Sequence, residues 1–355
     1  MTAPPTSSFS VSFLRKATEL LFLQRRRSKL GVAVRSVRAG GYTWSYLDNS
    51  SSSRVTVVFI HGFSSEKDTW LNIMGYLAQP ARLLAPDLPG HGATTPSSPF
   101  HNYSVGAQVR NLLTFLDKAV GPDIPVHLVG HSMGGLIAGV FAATFPHLVS
   151  SVTLLCPAGI SMPTRSPVLA MLEDTGVNLM QATTVDAMQT LLWYAEAKPG
   201  HPISSRRNTT SSSFHHNHLA TPSSHKLRTR SNRFLSRFYA KHQADRKQVV
   251  DKILSDMLPE RTTLEDRLAD IEAPTLVLWG SDDQILDVSC VDNIHRHEWI
   301  NTVVVAGCGH TLPQRRPEVC AAYIVQMIQR SKRWLTDMES TAVLTSSSKI
   351  DYYFE

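Results

Sequence analysis

Val126-His127-Leu128-Val129-Gly130-His131-Ser132-Met133-Gly134-Gly135 is the stretch whose reading decides the fold. Val126–Val129 is a short apolar run of the kind that forms a doubly covered strand, and Gly134–Thr144 carries a helical pattern. Between them, Gly130-His131-Ser132-Met133-Gly134 has the G-x-S-x-G spacing of a nucleophile elbow, which must sit between a strand and a helix. Such a turn forces Ser132 into a strained backbone conformation. Side chains two residues to either side would collide, so Gly130 and Gly134 keep the turn possible. The hydroxyl is then presented above a sheet at a helix N-terminus, where the dipole favours developing negative charge. A Gly-rich turn with a passive serine is the bland alternative, and the strand before and helix after weigh against it.

A serine hydroxyl is a poor nucleophile until a base takes its proton. Downstream, Gly307-Cys308-Gly309-His310 follows an apolar run directly, and a histidine on such a loop can reach the elbow from the side. His310 is therefore the candidate base. The third partner orients the imidazole and stabilises its cation. Trp279-Gly280-Ser281-Asp282-Asp283 ends the preceding apolar run and supplies the acid. Asp283 is the first choice, Asp282 the nearest rival and Asp287 the third; composition does not separate adjacent aspartates. The oxyanion needs two N–H donors in place before charge develops. One is the backbone N–H of Met133. The other is that of Phe63, on the loop after Val57-Val58-Phe59-Ile60.

Other histidines carry less. His91, in Asp87-Leu88-Pro89-Gly90-His91-Gly92, precedes the elbow and reads as a turn residue. His295 and His297 read as surface positions. His215, His216 and His218 cluster inside a low-complexity stretch that would not hold metal-site geometry. No metal site and no cofactor is implied.

Working outward, short apolar runs alternate with helical patterns, which predicts an α/β fold: a mainly parallel sheet with helices on both faces. The strands are Tyr42–Leu47, Val55–Ile60, Arg82–Ala85, Val126–Val129, Val152–Leu155, Thr275–Trp279 and Thr302–Val305. Helices are predicted over Val105–Leu116, Gly134–Thr144 and Glu318–Trp334. Between Leu155 and Thr275 the alternation stops, and the chain reads as a helical cap inserted between two late strands. The core is then residues 42–157 and 273–334, with the cap at 158–272. Within the cap, Lys198–Asn232 is rich in Ser, Thr, His and Arg; it cannot bury enough apolar surface to offset its ordering entropy and is predicted disordered. Residues 335–355 read as a flexible tail.

The chain has 355 residues and a net charge of +6. Residues 1–41 carry +7 and the low-complexity stretch +6, so the rest sums to −7. A mildly acidic body argues against a nucleic-acid-binding fold, which places its basic patch on the folded domain. The four cysteines have neither metal spacing nor framework density and read as reduced thiols in a cytosol-facing protein. No run of 18 apolar residues predicts a transmembrane helix. Phe13, Leu14, Ala17, Leu20 and Leu21 recur at helical spacing, followed by Arg25, Arg26, Arg27 and Lys29. This basic amphipathic N-terminal segment fits a helix lying on an anionic membrane surface. Its Arg-rich, acid-poor composition is also that of a mitochondrial presequence.

The stretches VVFIHGFSSEKDTW, DLPGHG, HLVGHSMGGLIAGVFAATFP, LLCPAG, PTLVLWGSDDQILDVS and GCGH together resemble the α/β-hydrolase-fold monoacylglycerol lipases and related bacterial lipases. The resemblance runs from about Val32 to Trp334 and is weakest across the cap. It implies an α/β-hydrolase fold and a triad of Ser132, Asp283 and His310, with Asp283 three residues after the Trp-Gly pair, where the family places its acid. It implies a lipid ester as substrate. Animal members carry a hydrophobic N-terminal span; this N-terminus is shorter in apolar run and more basic, which favours peripheral attachment. Small-ester esterases and carbon–carbon bond hydrolases use the same elbow, and scaffold proteins on this fold usually lose a triad member. Epoxide and haloalkane hydrolysis require an Asp where Ser132 stands.

Overall fold

Alternating apolar runs become one nine-stranded sheet in the computed structural model, which describes residues 21–77, 81–96, 101–196, 230–260 and 263–331. The strands are β1 (Ala33–Ala39), β2 (Tyr42–Asp48), β3 (Thr56–Ile60), β4 (Arg82–Pro86), β5 (Thr95–Pro96), β6 (Val126–His131), β7 (Val149–Leu155), β8 (Thr275–Gly280) and β9 (Ile300–Val305). Their order is β1-β2-β4-β3-β6-β7-β8-β9, with β5 pairing β2. The β1–β2 and β2–β4 pairs are antiparallel, and every pair from β4 to β9 is parallel. β3, β6 and β8 are buried at every position, which is why they read as unbroken apolar runs rather than alternating ones.

The sheet begins earlier than the apolar pattern suggests. β1 falls inside the basic N-terminal segment, and its first four residues are exposed. An edge strand of this kind takes its place from backbone pairing with β2, from Ala33 opposite Asp48 to Ala39 opposite Tyr42, and leaves no apolar alternation to read.

Residues 21–29 form helix α1 and 317–331 helix α8. α2 (Val105–Ala119) packs against β1, and α3 (Met133–Thr144) against β6 and β7. The Ser104 side chain accepts from Ala107 N–H and starts α2. The Arg27 guanidinium fixes α1 to the body through both carboxylate oxygens of Asp68. Between β7 and β8 the described cap residues are helical: α4 (Pro167–Thr175), α5 (Val185–Glu196), α6 (Arg230–Asp245) and α7 (Lys247–Met257). α4 has a legible start and stop: Ser166 accepts from Leu169 N–H at 3.1 Å, Pro167 opens the first turn, and Gly176 ends it at φ 73°. Most of the low-complexity stretch, the first 20 residues and the tail lie outside the described residues; α6 starts at Arg230, within the predicted insert. Among the described residues no helix is long and apolar enough to cross a membrane.

Candidate active site

At the end of β6, Ser132 sits at φ 54°, ψ −120°, the strained turn that the elbow requires. A β-carbon on Gly130 would lie 2.3 Å from the carbonyl oxygen of Gly134. One on Gly134 would lie 2.1 Å from the carbonyl oxygen of Ile60. The first glycine is thus demanded across the turn itself, and the second by the neighbouring strand β3. The Ser132 peptide is pinned as well: its N–H donates to Leu155 O at 2.9 Å, and its carbonyl accepts from Ala158 N–H at 3.0 Å.

His310 follows β9, and Asp283 follows β8. The Nδ1–H of His310 donates to Asp283 Oδ2 at 2.7 Å, with the Asp283 side chain fully buried. Asp283 Oδ1 accepts from Ile285 and Leu286 N–H, each at 2.9 Å, so the carboxylate is held by backbone before it meets the imidazole. Asp282 is exposed and accepts from the Ser281 hydroxyl. Asp287 is buried and accepts from Ser289 N–H. Of the three candidate acids, Asp283 is the one that bonds to the imidazole of His310.

Two histidines contribute more than their sequence positions suggest. His131 Nε2–H donates to the backbone carbonyl of His310 at 2.8 Å, and the two rings lie 4.9 Å apart. Burial, then the His310 ring, pushes His131 down to about 3, so it stands neutral beside the site. It ties the elbow to the His310 loop. The available signal was its place in a strand with no exposed position, where a buried ring must find a partner.

His61 acts on the other side. Leu88 N–H donates to His61 Nε2 at 3.0 Å, which leaves the ring proton on Nδ1, 2.8 Å from the carbonyl oxygen of Gly62. That carbonyl is thereby turned toward His61. In a planar trans peptide the N–H of Phe63 must point the opposite way. A β-carbon on Gly62 would stand 3.1 Å from His131 Nδ1 and 3.2 Å from Ser132 Cβ, so a side chain here would crowd the elbow. Among the described residues, neither the Phe63 N–H nor the Met133 N–H has an acceptor. Both residues line the same cavity as Ser132.

Behind Phe63, His91 packs its ring 5.0 Å from His61 and 6.2 Å from the Phe63 ring, and burial holds it well below the usual histidine range. The buried Lys67 ammonium donates to Asp87 Oδ2 at 2.6 Å, and the same carboxylate accepts from Lys67 N–H and Ala93 N–H. This pair fastens the loop after β3 to the loop after β4.

The cavity over Ser132 has a volume of about 420 Å³. The core supplies Phe63, Met133 and Leu136; the cap supplies Val168, Leu172, Ile253, Leu254 and Met257. A mainly apolar lining of this kind suits a flexible hydrocarbon chain.

Residues 55–313 match the model of the alpha/beta hydrolase fold family. The chain belongs to that family. Among its relatives is monoacylglycerol lipase abhd6-A of Xenopus laevis, 28% identical, the match covering 97% of this chain and 94% of that protein. Human monoacylglycerol lipase ABHD6 is also 28% identical, over 92% of this chain and 91% of its own. A solved structure of a bacterial membrane phospholipase A, described as a virulence factor, superposes with a TM-score of 0.72 at 27% identity, over 91% of this chain and 97% of that one. As an alpha/beta hydrolase, the chain places its elbow between strand and helix and its cap between two late strands, as the sequence pattern implied.

Proposed function

We propose that this alpha/beta hydrolase is a serine hydrolase that cleaves the ester bond of a monoacylglycerol or a similar single-chain lipid. The observation that carries this reading is the placement of Ser132 in an apolar cavity lined also by Phe63 and Met133, whose N–H groups have no acceptor among the described residues, with His310, bonded to Asp283 at 2.7 Å, on a loop tied to the neighbouring His131. Ser132 Oγ attacks the acyl carbonyl while His310 takes its proton. The new oxyanion accepts from the N–H groups of Phe63 and Met133. Collapse breaks the ester C–O bond, the leaving alkoxide oxygen takes the proton held by His310 and departs as glycerol, and the acyl chain is left esterified to Ser132. Water then enters, His310 takes a proton from it, and the acyl-enzyme is cleaved by the same machinery. No cofactor enters this sequence.

The named activities of the relatives favour a lipid ester over a small ester, and so does the apolar lining. The test is turnover of a panel: long-chain monoacylglycerols, short aryl esters and ring-cleavage diketones, with fluorophosphonate labelling of wild type and Ser132→Ala. Monoacylglycerol turnover with labelling that depends on Ser132 is expected. Equal labelling of the two proteins would sink the catalytic assignment.

The N-terminal segment holds the enzyme against an anionic, cytosol-facing membrane surface. Supporting this, Leu21 and Phe22 are 54% and 64% exposed on α1, next to Arg25. Co-sedimentation with phosphatidylserine vesicles, lost in a Leu21→Ser/Phe22→Ser double variant and at high salt, is the expected result. Sedimentation indifferent to both would remove the membrane role.

A further inference from the structure

Three acceptor positions of the Asp283 carboxylate are taken by Ile285 N–H, Leu286 N–H and His310 Nδ1–H. An ionised carboxylate offers about four. Its side chain has no exposed surface through which water could fill the remaining one. Close to this carboxylate lies the thiol of Cys156. Its sulfur, a carboxylate oxygen of Asp283 and a ring nitrogen of His310 all lie within 4.8 Å of one another, and all three residues are buried.

The backbone tells the same story. Cys156 directly follows β7 and sits at φ 42°, in the left-handed region that a glycine would occupy with less strain. Its N–H is fixed to Leu278 O at 2.8 Å, which ties it to β8, the strand that leads to Asp283. Ser132 shows the same departure at the end of the adjacent strand, with φ 54°. In both places a side chain is kept where the backbone favours none, and the Cys156 sulfur lies close to Asp283 and His310.

We propose that Cys156 is a positioning residue for the triad: its S–H donates to the open lone pair of the Asp283 carboxylate and so sets how strongly that carboxylate draws the Nδ1 proton of His310. Burial, and then the Asp283 charge, push the thiol well above the usual cysteine range, so it remains S–H and acts as a donor. The inference rests on the triad assigned under the proposed function.

The other titratable groups around the pair are His131, held neutral at about 3, the buried thiols of Cys290 and Cys308, both pushed up, the carboxylates of Asp282, Asp287 and Glu265, and Arg315 and Arg316 beside Cys308. A thiol lost from Asp283 concentrates charge on the oxygen facing His310. The base then holds its proton more tightly. The acid limb of kcat/KM, which reports the free base, should move to higher pH.

The experiment is the pH profile of kcat/KM for wild type, Cys156→Ala, Cys156→Val and Cys156→Ser, with Ser132→Ala alongside. The Ala and Val variants are expected to shift the acid limb upward by about half a unit, whatever their melting temperatures, since hydrogen bonds to a carboxylate set its basicity. Ser, which keeps a donor, should return the limb to the wild-type position. An acid limb unmoved in Ala and Val, or moved equally in Ser, overturns the proposal and leaves Cys156 as packing only. Loss of turnover in Ser132→Ala separates that failure from a failure of the triad itself.

Discussion

The two walls of the cavity over Ser132 are built on different principles. The core wall, with Phe63, Met133 and Leu136 at its surface, is backed by directional hydrogen bonds among buried polar groups: His61 to Gly62, His131 to His310, His310 to Asp283, Lys67 to Asp87. The cap wall is methyl and methylene surface from Val168, Leu172, Leu254 and Met257. Directional bonds in a dry site fix atoms to fractions of an ångström and are costly to leave unmade. Apolar contact is non-directional and tolerates exchange of one shape for another. On the proposed function, the chemistry would rest on the first wall and choice among acyl chains on the second.

The largest break falls on the core wall. Ser132→Ala is expected to lower kcat by roughly 10⁴-fold or more, because members of a triad act as a unit. Asp283→Asn should lower it by about 10⁴-fold by leaving His310 in the wrong tautomer. In a titrated assay, a loss of less than tenfold in either would mean that the triad is assigned to the wrong residues.

Next comes the donor wall. His61→Leu removes the acceptor for Leu88 N–H and leaves the Gly62 carbonyl to the longer 3.3 Å bond from Ser65 N–H, so the Phe63 N–H is held less firmly toward the proposed oxyanion. The expected loss is about 10²–10³-fold in kcat, the usual cost of one oxyanion donor, with KM changed little. A rise in KM at constant kcat would place His61 in substrate binding instead.

These positions also show how much of the site the sequence disclosed. Gly130, Ser132, Gly134 and Phe63 were legible because their demands are local: a tight turn, or a loop directly after a strand. Between Asp282 and Asp283 the residues are chemically alike; the choice rested on family resemblance until the path of the turn after β8 left Asp282 exposed and Asp283 buried. His131 and His61 were missed as positioning groups because their partners lie 179 and 27 residues away in the chain. β1 was missed because an exposed edge strand leaves no apolar alternation. The cap helices show apolar faces, but nothing in their spacing says which neighbour each face will meet.

The buried histidines give the core wall a pH dependence of its own. Burial lowers His61, His91 and His131, the last to about 3, whereas an unfolded histidine titrates near 6.5. Between those values the unfolded chain binds more protons. The stabilisation from neutral burial is complete above roughly pH 6.5 and is lost as pH falls toward the folded-state values, at about 1.4 kcal/mol per pH unit for His131. Urea midpoints at pH 7.5, 6 and 5 should fall steeply, and His131→Leu should flatten the slope. Midpoints that stay level from 7.5 to 5 would mean that these rings can ionise in place.

The smallest effect, and the sharpest test of the contrast, belongs to the cap. Leu254 and Met257 lie on α7, facing the cavity. Leu254→Trp adds volume there without touching a hydrogen bond of the core wall. It should shorten the usable cavity and favour medium-chain over long-chain monoacylglycerols by about tenfold in kcat/KM, since each buried methylene is worth about 0.8 kcal/mol and pocket discrimination per methylene runs to about 1–3 kcal/mol. Turnover of a short ester, which does not reach α7, should change less than twofold. That pairing is what the comparison requires. If the short ester slows as much as the long one, the cap is transmitting force to Ser132 and His310, and the link to examine is Thr311, whose N–H donates to Ala195 O in the last turn of α5 at 3.2 Å. If neither substrate responds, the acyl chain runs elsewhere in the cavity, and Val168 and Leu172 on α4 become the positions that set its length.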